Sequence, residues 1–363
     1  MEKYGLKRLF ALVLLPLNYI LVAWAKAHPT ALEINYSEGF YPIISSSINI
    51  LTAFLQFSLA EILIVVAFFL IVFYIISVIV KIINLPRGKK LVELYKFVVN
   101  IVCAAVVLSF LYTALYGINI YRPSFATKAG FNISPSTLDS LYAATAATAA
   151  EANAARENLS EDENGVFVLS GALHGAEGYL ELSRLNMNEL AVDYDFLSGF
   201  YLQPKPLGLS NLLSMARLTE IFFPFTYEAG INTDIPGCLQ PAAMERGLAN
   251  LRGYVSEGDA NFIAWLVCRV SRHPEFKYSG SVLALEYLLP ALKDADRSKY
   301  DEAFALLSDK VKTDLDANSA YWENFGGKPL DIGNYALKKN SEDAYIFGGF
   351  IDIFLAYRRS GKL

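Results

Sequence analysis

Pro241–Leu266, PAAMERGLANLRGYVSEGDANFIAWL, reads as two helices joined at a glycine, Gly253. The segments around it carry the same helical character. Upstream, LSNLLSMARLTE (209–220) reads as a helix. IFFPFTYEAGINTDIPG (221–237) follows, rich in β-branched and aromatic residues and closing on Asp-Ile-Pro-Gly, so it is expected as a strand or extended edge and then a turn. Downstream, YSGSVLALEYLLPALKDA (278–295), SKYDEAFALLSDKVKTDLDAN (298–318) and SEDAYIFGGFIDIFLAYRR (341–359) read as three further helices. The last is apolar, but Asp352 lies in its middle, which predicts a helix packed on its own domain rather than a fourth span.

Towards the N-terminus the alanine-rich segment 134–158 reads as a helix, with Ser134 as N-cap and Pro135 at the first helical position. GAEGYLELSRLN (175–186) continues the helical pattern after an acidic turn, SEDENG (160–165). The fold class expected from these elements is mainly α, with a short β edge.

The first third of the chain is of a different class. The sequence is 54% hydrophobic, too apolar for an average soluble domain, and the apolar residues are concentrated. Three runs approach the roughly 20 residues needed to cross a bilayer. They fall at about 9–25, 62–80 and 97–117, and the second, ILIVVAFFLIVFYIISVIV, has neither charge nor helix breaker. This predicts a membrane region over 1–117, with a loop at 26–57, and a helical domain over 118–363.

Lys3, Lys7 and Arg8 precede the first run, and Lys81, Arg87, Lys89, Lys90 and Lys96 lie between or at the edge of the other two. The 26–57 loop carries only Lys26. The positive-inside rule therefore predicts a cytoplasmic N-terminus and an extracytoplasmic C-terminal domain of a bacterial cell-membrane protein. The charge divides along the same line, +4 for 1–117 and −9 for 118–363. An acidic outer domain argues against nucleic acid as a partner and leaves the lipid bilayer, with an envelope peptide or protein as a further candidate. Of the three cysteines, Cys238 and Cys268 fall in the outer domain and are expected as buried free thiols.

Pro224–Pro236 reads PFTYEAGINTDIP, Pro241 follows, Arg252-Gly253 comes eleven residues later, and Glu257-Gly-Asp-Ala-Asn-Phe opens the next helix. With YSEGFYP (36–42), FSLAE (57–61), FKYSG (276–280) and GGFIDIFLAY (348–357), these motifs cover most of the chain. In them the sequence resembles a family of bacterial membrane proteins of unassigned function, with three N-terminal spans and an outer domain carrying an HExxH zinc-peptidase-like site. The resemblance implies a zincin-like outer domain. It also implies a site in which two histidines at i and i+4 hold zinc, a glutamate serves as general base, and a third ligand comes from the following helix.

The flanking motifs align without a gap, so the first histidine falls on Arg246, the glutamate on Gly247 and the second histidine on Asn250. A guanidinium cannot ligate zinc, glycine has no base, and a carboxamide is a poor substitute for imidazole. The three histidines, His28, His174 and His273, have no partner at metal-ligand spacing. The expectation is therefore a vestigial site, Arg246, Gly247, Asn250, Glu257 and Asp259, with no metal and no catalytic residues. Arg246 is expected to pair with Glu257 or Asp259 across it. Glu228, Asn232 and Asp234 on the extended edge, with Tyr278, are candidates for binding a peptide, the first three by strand addition. The rival expectations are an active hydrolase using Glu257, Asp259 and His273 as ligands, and a purely structural envelope protein.

Overall fold

The longest apolar runs form the longest helices. In the computed structural model, which describes residues 8, 10–55, 57–169, 176–341 and 343–361, three helical segments are long and apolar enough to cross a membrane: Phe10–Ala27, Leu59–Asn84 and Arg87–Leu115. The first comprises a 3-10 turn, Phe10–Val13, and helix α1, Leu14–Ala27. The others are α4 (Leu59–Asn84) and α5 (Arg87–Leu115), of 26 and 29 residues. At about 1.5 Å per residue both exceed the roughly 30 Å of a hydrocarbon core. Their large apolar side chains point outward, Phe68, Phe69 and Phe73 being 60–70% exposed, as a lipid-facing surface requires.

These segments belong to a first compact unit of residues Met1–Tyr41, Leu59–Arg122 and Pro224–Thr226. The stretch expected as a loop at 26–57 is instead largely helical. Pro29 starts a short helix, α2 (Pro29–Leu32), that runs into a π-helix, Glu33–Phe40, and then α3, Tyr41–Ala53. The π-helix presents Glu33 to Arg122 in a buried two-pronged pair, 3.0 Å from Nε and 2.5 Å from the second nitrogen. It also presents Ser37 to Asn119, 2.8 Å away. These partners lie more than 80 residues on, so sequence periodicity could not have revealed them.

The second unit comprises Pro42–Ser58, Pro123–Phe223 and Tyr227–Leu363. Its helices are α6 (Phe125–Ala129), α7 (Leu138–Arg156), α8 (Ala176–Asp193), α9 (Ser210–Met215), α10 (Gln240–Leu251), α11 (Glu257–Val270), α12 (Pro274–Ala295), α13 (Arg297–Ala305), α14 (Asp309–Glu323) and α15 (Gly349–Arg359), with α3 packed in the same unit. Strands β1 (Lys205–Pro206), β2 (Glu220–Phe223) and β3 (Glu228–Ile231) form one sheet in the order β1-β3-β2, and β4 (Lys338–Ser341) pairs with β5 (Ala344–Ile346). β2 and β3 are an antiparallel hairpin with Glu220 opposite Ile231, while β1 runs parallel to β3.

Several element boundaries differ from the sequence expectation. The N-cap of α7 is Thr137, whose Oγ1 accepts from the Ser140 amide at 3.1 Å, and not Ser134. Ser136 is drawn into an extended bridge with Tyr345, each amide donating to the other's carbonyl at 2.9 Å, so Pro135 stays outside the helix. Helix α9 stops at Met215 because Arg217 adopts a positive φ of 56° and Glu220 starts a strand. The segment 298–318 is two helices, because the Ser308 hydroxyl accepts from the Val311 amide and opens α14 afresh.

The last segment begins as the β4–β5 hairpin, and only then becomes α15. Asp352 caps its own helix by accepting from the Phe347 and Gly348 amides at 3.0 and 2.8 Å. A charge inside an apolar helix is explained in this way. Helix α15 is buried along most of its length against α11. Trp265 meets Phe354 with ring centroids 4.6 Å apart, and Phe262 meets Phe125 at 5.2 Å. The crossing is close because it has no side chains at its centre: a Cβ on Gly258 would lie 2.7 Å from the Gly349 Cα. Cys238 and Cys268 are buried free thiols.

Candidate functional site

The helical pair of the opening stretch lies at the centre of a buried polar network. Helix α10 starts with proline in its first turn, and Gly253, at φ 87°, ends it. The Gly253 amide donates to the Asn250 carbonyl at 2.8 Å, and the Tyr254 amide to that of Ala249 at 3.1 Å. One face of α10 lies directly on the sheet. A Cβ on Gly247 would sit 2.9 Å from the Ala229 Cβ and 3.6 Å from Glu220 Oε2. That approach aims the flanking side chains, Arg246 and Asn250, at the start of β2.

Arg246 forms two ion pairs, 2.8 Å to Glu220 Oε1 and 2.7 Å to Asp331 Oδ2. Asn250 donates to Glu220 Oε1 at 2.9 Å. Asp331 is held from behind by the Thr219 amide and hydroxyl, both at 2.8 Å. Asn261 on α11 donates to the Asp331 carbonyl and to the Tyr287 hydroxyl, each at 2.9 Å. Tyr287 in turn donates to Glu257 Oε1 at 2.9 Å, and Asn334 donates to Glu257 Oε2 at 2.9 Å. The network thus draws on β2, α10, α11, α12 and the loop before β4.

The expected pairing of Arg246 with Glu257 or Asp259 is therefore corrected: its partners are Glu220 and Asp331. Glu257 reaches Arg246 only as a more distant charge. Asp259, two residues along α11 and so on another face, accepts from the Phe125 amide at 2.9 Å and pins the start of α6.

Charge is unevenly matched here. One guanidinium faces two carboxylates directly and a third at longer range. Burial opposes the Arg246 charge, but Glu220 and Asp331 outweigh it and hold the arginine more firmly protonated than usual. Burial pushes the Glu220 carboxyl up to about 7, with Asp331 adding to the rise and Arg246 and Asn250 opposing it. Among the described residues, four buried polar atoms of the network have no partner: Glu220 Oε2, Arg246 Nε, Asp331 Oδ1 and Asn261 Oδ1.

The other sequence candidates lie elsewhere. Glu228 is buried and ion-paired to Lys205 at 2.5 Å, whose ammonium also donates to the Thr52 and Phe57 carbonyls at 3.0 and 3.1 Å. Asn232 is buried and donates to Ser214 Oγ and the Leu218 carbonyl. β3 is the central strand with both edges paired, so strand addition there has no free ladder to join, a second correction. Asp234 is exposed, with its amide donating to Asn232 Oδ1 at 3.1 Å.

Tyr278 has no solvent-exposed surface. It is buried and donates to Asp314 in a separate network, where Arg156 Nε meets Asp314 at 2.6 Å. The tyrosine that faces the Arg246 network is Tyr287, further along the same helix. His273 is the N-cap residue of α12, while Glu257 opens the 14-residue α11. At about 1.5 Å per residue the two stand roughly 20 Å apart and cannot share one metal. His174 lies outside the described residues. Among the described residues, no three His, Cys, Asp or Glu side chains are grouped to hold a metal ion.

Glu220, Asp331, Asn261, Tyr287 and Asn334 were not singled out in the sequence. Glu220 ends a segment read as helix, and Asp331 is 85 residues from Arg246, so only the tertiary fold brings them to it.

No curated protein matches this chain, and no solved structure does. One family model matches residues 36–345, described as a protein of unknown function (DUF3810). That match spans both units and includes every residue of the Arg246 network, and the chain belongs to this DUF3810 family.

Proposed function

We propose that this protein is a membrane-anchored, catalytically inactive relative of zinc peptidases. In this reading its outer domain is zincin-like, and its role is to bind or scaffold an envelope peptide or protein. One observation carries the reading. The Arg246 guanidinium, paired to Glu220 and Asp331, stands with Gly247 and Asn250 at the three positions where an HExxH site needs imidazole, carboxylate and imidazole. These residues do not fit zinc. The arginine is a permanent cation, and glycine offers no general base. Glu257, at the start of the helix from which a third ligand would come, is instead hydrogen-bonded to Tyr287 and Asn334. The unpaired polar atoms around Arg246 leave hydrogen-bonding capacity that a buried water or small polar group would complete.

The three apolar helices anchor the chain in the lipid bilayer. Lysine and arginine concentrated before the first and between the second and third support a cytoplasmic N-terminus and an outer acidic domain.

The double variant Arg246→His/Asn250→His tests whether the site is a vestige. It restores i, i+4 imidazoles on α10, and the purified variant is expected to gain about one zinc per chain. A folded variant that takes up none argues against a zinc-site ancestry of this network.

A further inference from the structure

Helix α3, Tyr41–Ala53, turns its polar side inward and its apolar side outward. Ser45, Asn49 and Thr52 recur at i, i+4 and i+7, so they share one face, and each is at most 6% exposed. The Asn49 amide donates to the Tyr227 carbonyl, and the Thr52 hydroxyl donates to the Asn49 carbonyl at 3.0 Å. Lys205 holds the end of the helix through the Thr52 carbonyl, also at 3.0 Å. Ile43, Ile50, Leu51 and Phe54 fall on the opposite face, continued by Phe57, and are 47–83% exposed. Ser47 lies among them, but its hydroxyl is taken up by the Ile43 carbonyl, to which it donates at 2.7 Å. No charged residue occurs from Tyr41 to Ser58.

A surface helix that folds in water buries its apolar stripe and exposes its polar one. The reverse arrangement suits lipid, where polar side chains turn to the protein and apolar ones to the hydrocarbon. Chain continuity points to the same surroundings. Ala53 comes six residues before Leu59, where the apolar helix α4 begins. Six residues reach at most about 20 Å, so α3 cannot leave the neighbourhood of a bilayer that α4 crosses. The 13 residues of α3 also cover only about 20 Å as helix, too little to cross a hydrocarbon core.

We infer that α3 is a membrane-surface element. Its face from Ile43 to Phe54 lies along the lipid, at the level of the headgroups and upper acyl chains. Lipid contact then extends beyond the three long helices to a part of the second unit. The inference rests on the reading of α4 as a span, and the test separates the two.

The test uses the full chain with Cys103→Ser, reconstituted in phosphatidylcholine vesicles, with single cysteines carrying the fluorophore NBD. Leu51→Cys and Phe54→Cys report on the α3 face, Phe69→Cys on α4, and Glu302→Cys on the charged surface of α13. All four positions are exposed, so the labels are expected to leave the fold intact. Lipid brominated near the headgroup is expected to cut the Leu51 and Phe54 emission about twofold, as shallow burial of an interfacial helix requires. Lipid brominated near the chain ends is expected to quench Phe69 more strongly than either, and Glu302 should respond to neither lipid. The inference is overturned if Leu51 and Phe54 behave as Glu302 does while Phe69 is quenched, the result for a face turned to water or to a second copy of the chain. The reading of α4 as a span would survive that result. If Phe69 is unquenched as well, both fall. Deep quenching of Leu51 equal to that of Phe69 also overturns the surface placement.

Discussion

Arg246 is the residue on which the candidate site turns. A buried arginine with two carboxylates is stable only as a set, because removing the cation leaves Glu220 and Asp331 desolvated without compensation. Arg246→Met is accordingly expected to destabilise the protein by about 3–5 kcal/mol, read as a lowered thermal midpoint in detergent. An unchanged midpoint would mean that the pair is solvated. Glu220 makes a second, pH-dependent contribution. Its carboxyl sits at about 7 in the folded protein, against 4.5 for an ordinary glutamate, so the folded state binds more protons between those values. Stability from this group is full below about pH 4.5 and is lost as pH rises through 7, by roughly 3 kcal/mol at about 1.4 per pH unit. Thermal midpoints measured from pH 5 to 7.5 should fall more steeply in wild type than in Glu220→Gln. Parallel profiles would remove Glu220 as the titrating group.

At the scale of elements, close crossings without side chains hold the second unit together. A Cβ added to Gly258 on α11 would meet backbone atoms of Gly349 and Phe350 at 2.7–3.0 Å, which cannot move aside as a flexible side chain could. Gly258→Ala is expected to cost about 1–3 kcal/mol or more through overpacking. Gly88→Ala, on α5 with nothing within 4 Å, should be neutral or stabilising, since alanine favours helix by up to about 1 kcal/mol. Equal effects of the two on the thermal midpoint would refute the packing argument.

The helices α10 and α11, and the glycine between them, were legible because local signals define them. The ends of α7 and α9, the split between α13 and α14, and the β4–β5 hairpin were not. Each is decided by a distant or conformational event: Ser136 pairing with Tyr345, Arg217 at positive φ, and Ser308 recapping the chain. The same limit applies to the site. Arg246, Gly247, Asn250 and Glu257 could be placed from motif register alone. Glu220, Asp331 and Tyr287 could not, because no local pattern marks a carboxylate that will meet an arginine 85 residues away.

For the whole molecule, three apolar helices and an acidic, helical second unit fit a membrane-anchored protein of the DUF3810 family. The proposed orientation can be checked with single cysteines in a Cys103→Ser background and a membrane-impermeant thiol reagent, because Cys238 and Cys268 are buried. A cysteine replacing Gly361 should react in cells with an intact inner membrane, and one replacing Lys89 only after that membrane is permeabilised. The reverse pattern would place the second unit in the cytoplasm and remove the envelope role. The central claim, that the site has exchanged a metal for an arginine–carboxylate network, is tested most directly by the zinc content of the purified wild-type chain after mild chelation. The account predicts far less than one zinc per chain. One zinc per chain that survives chelation would contradict it.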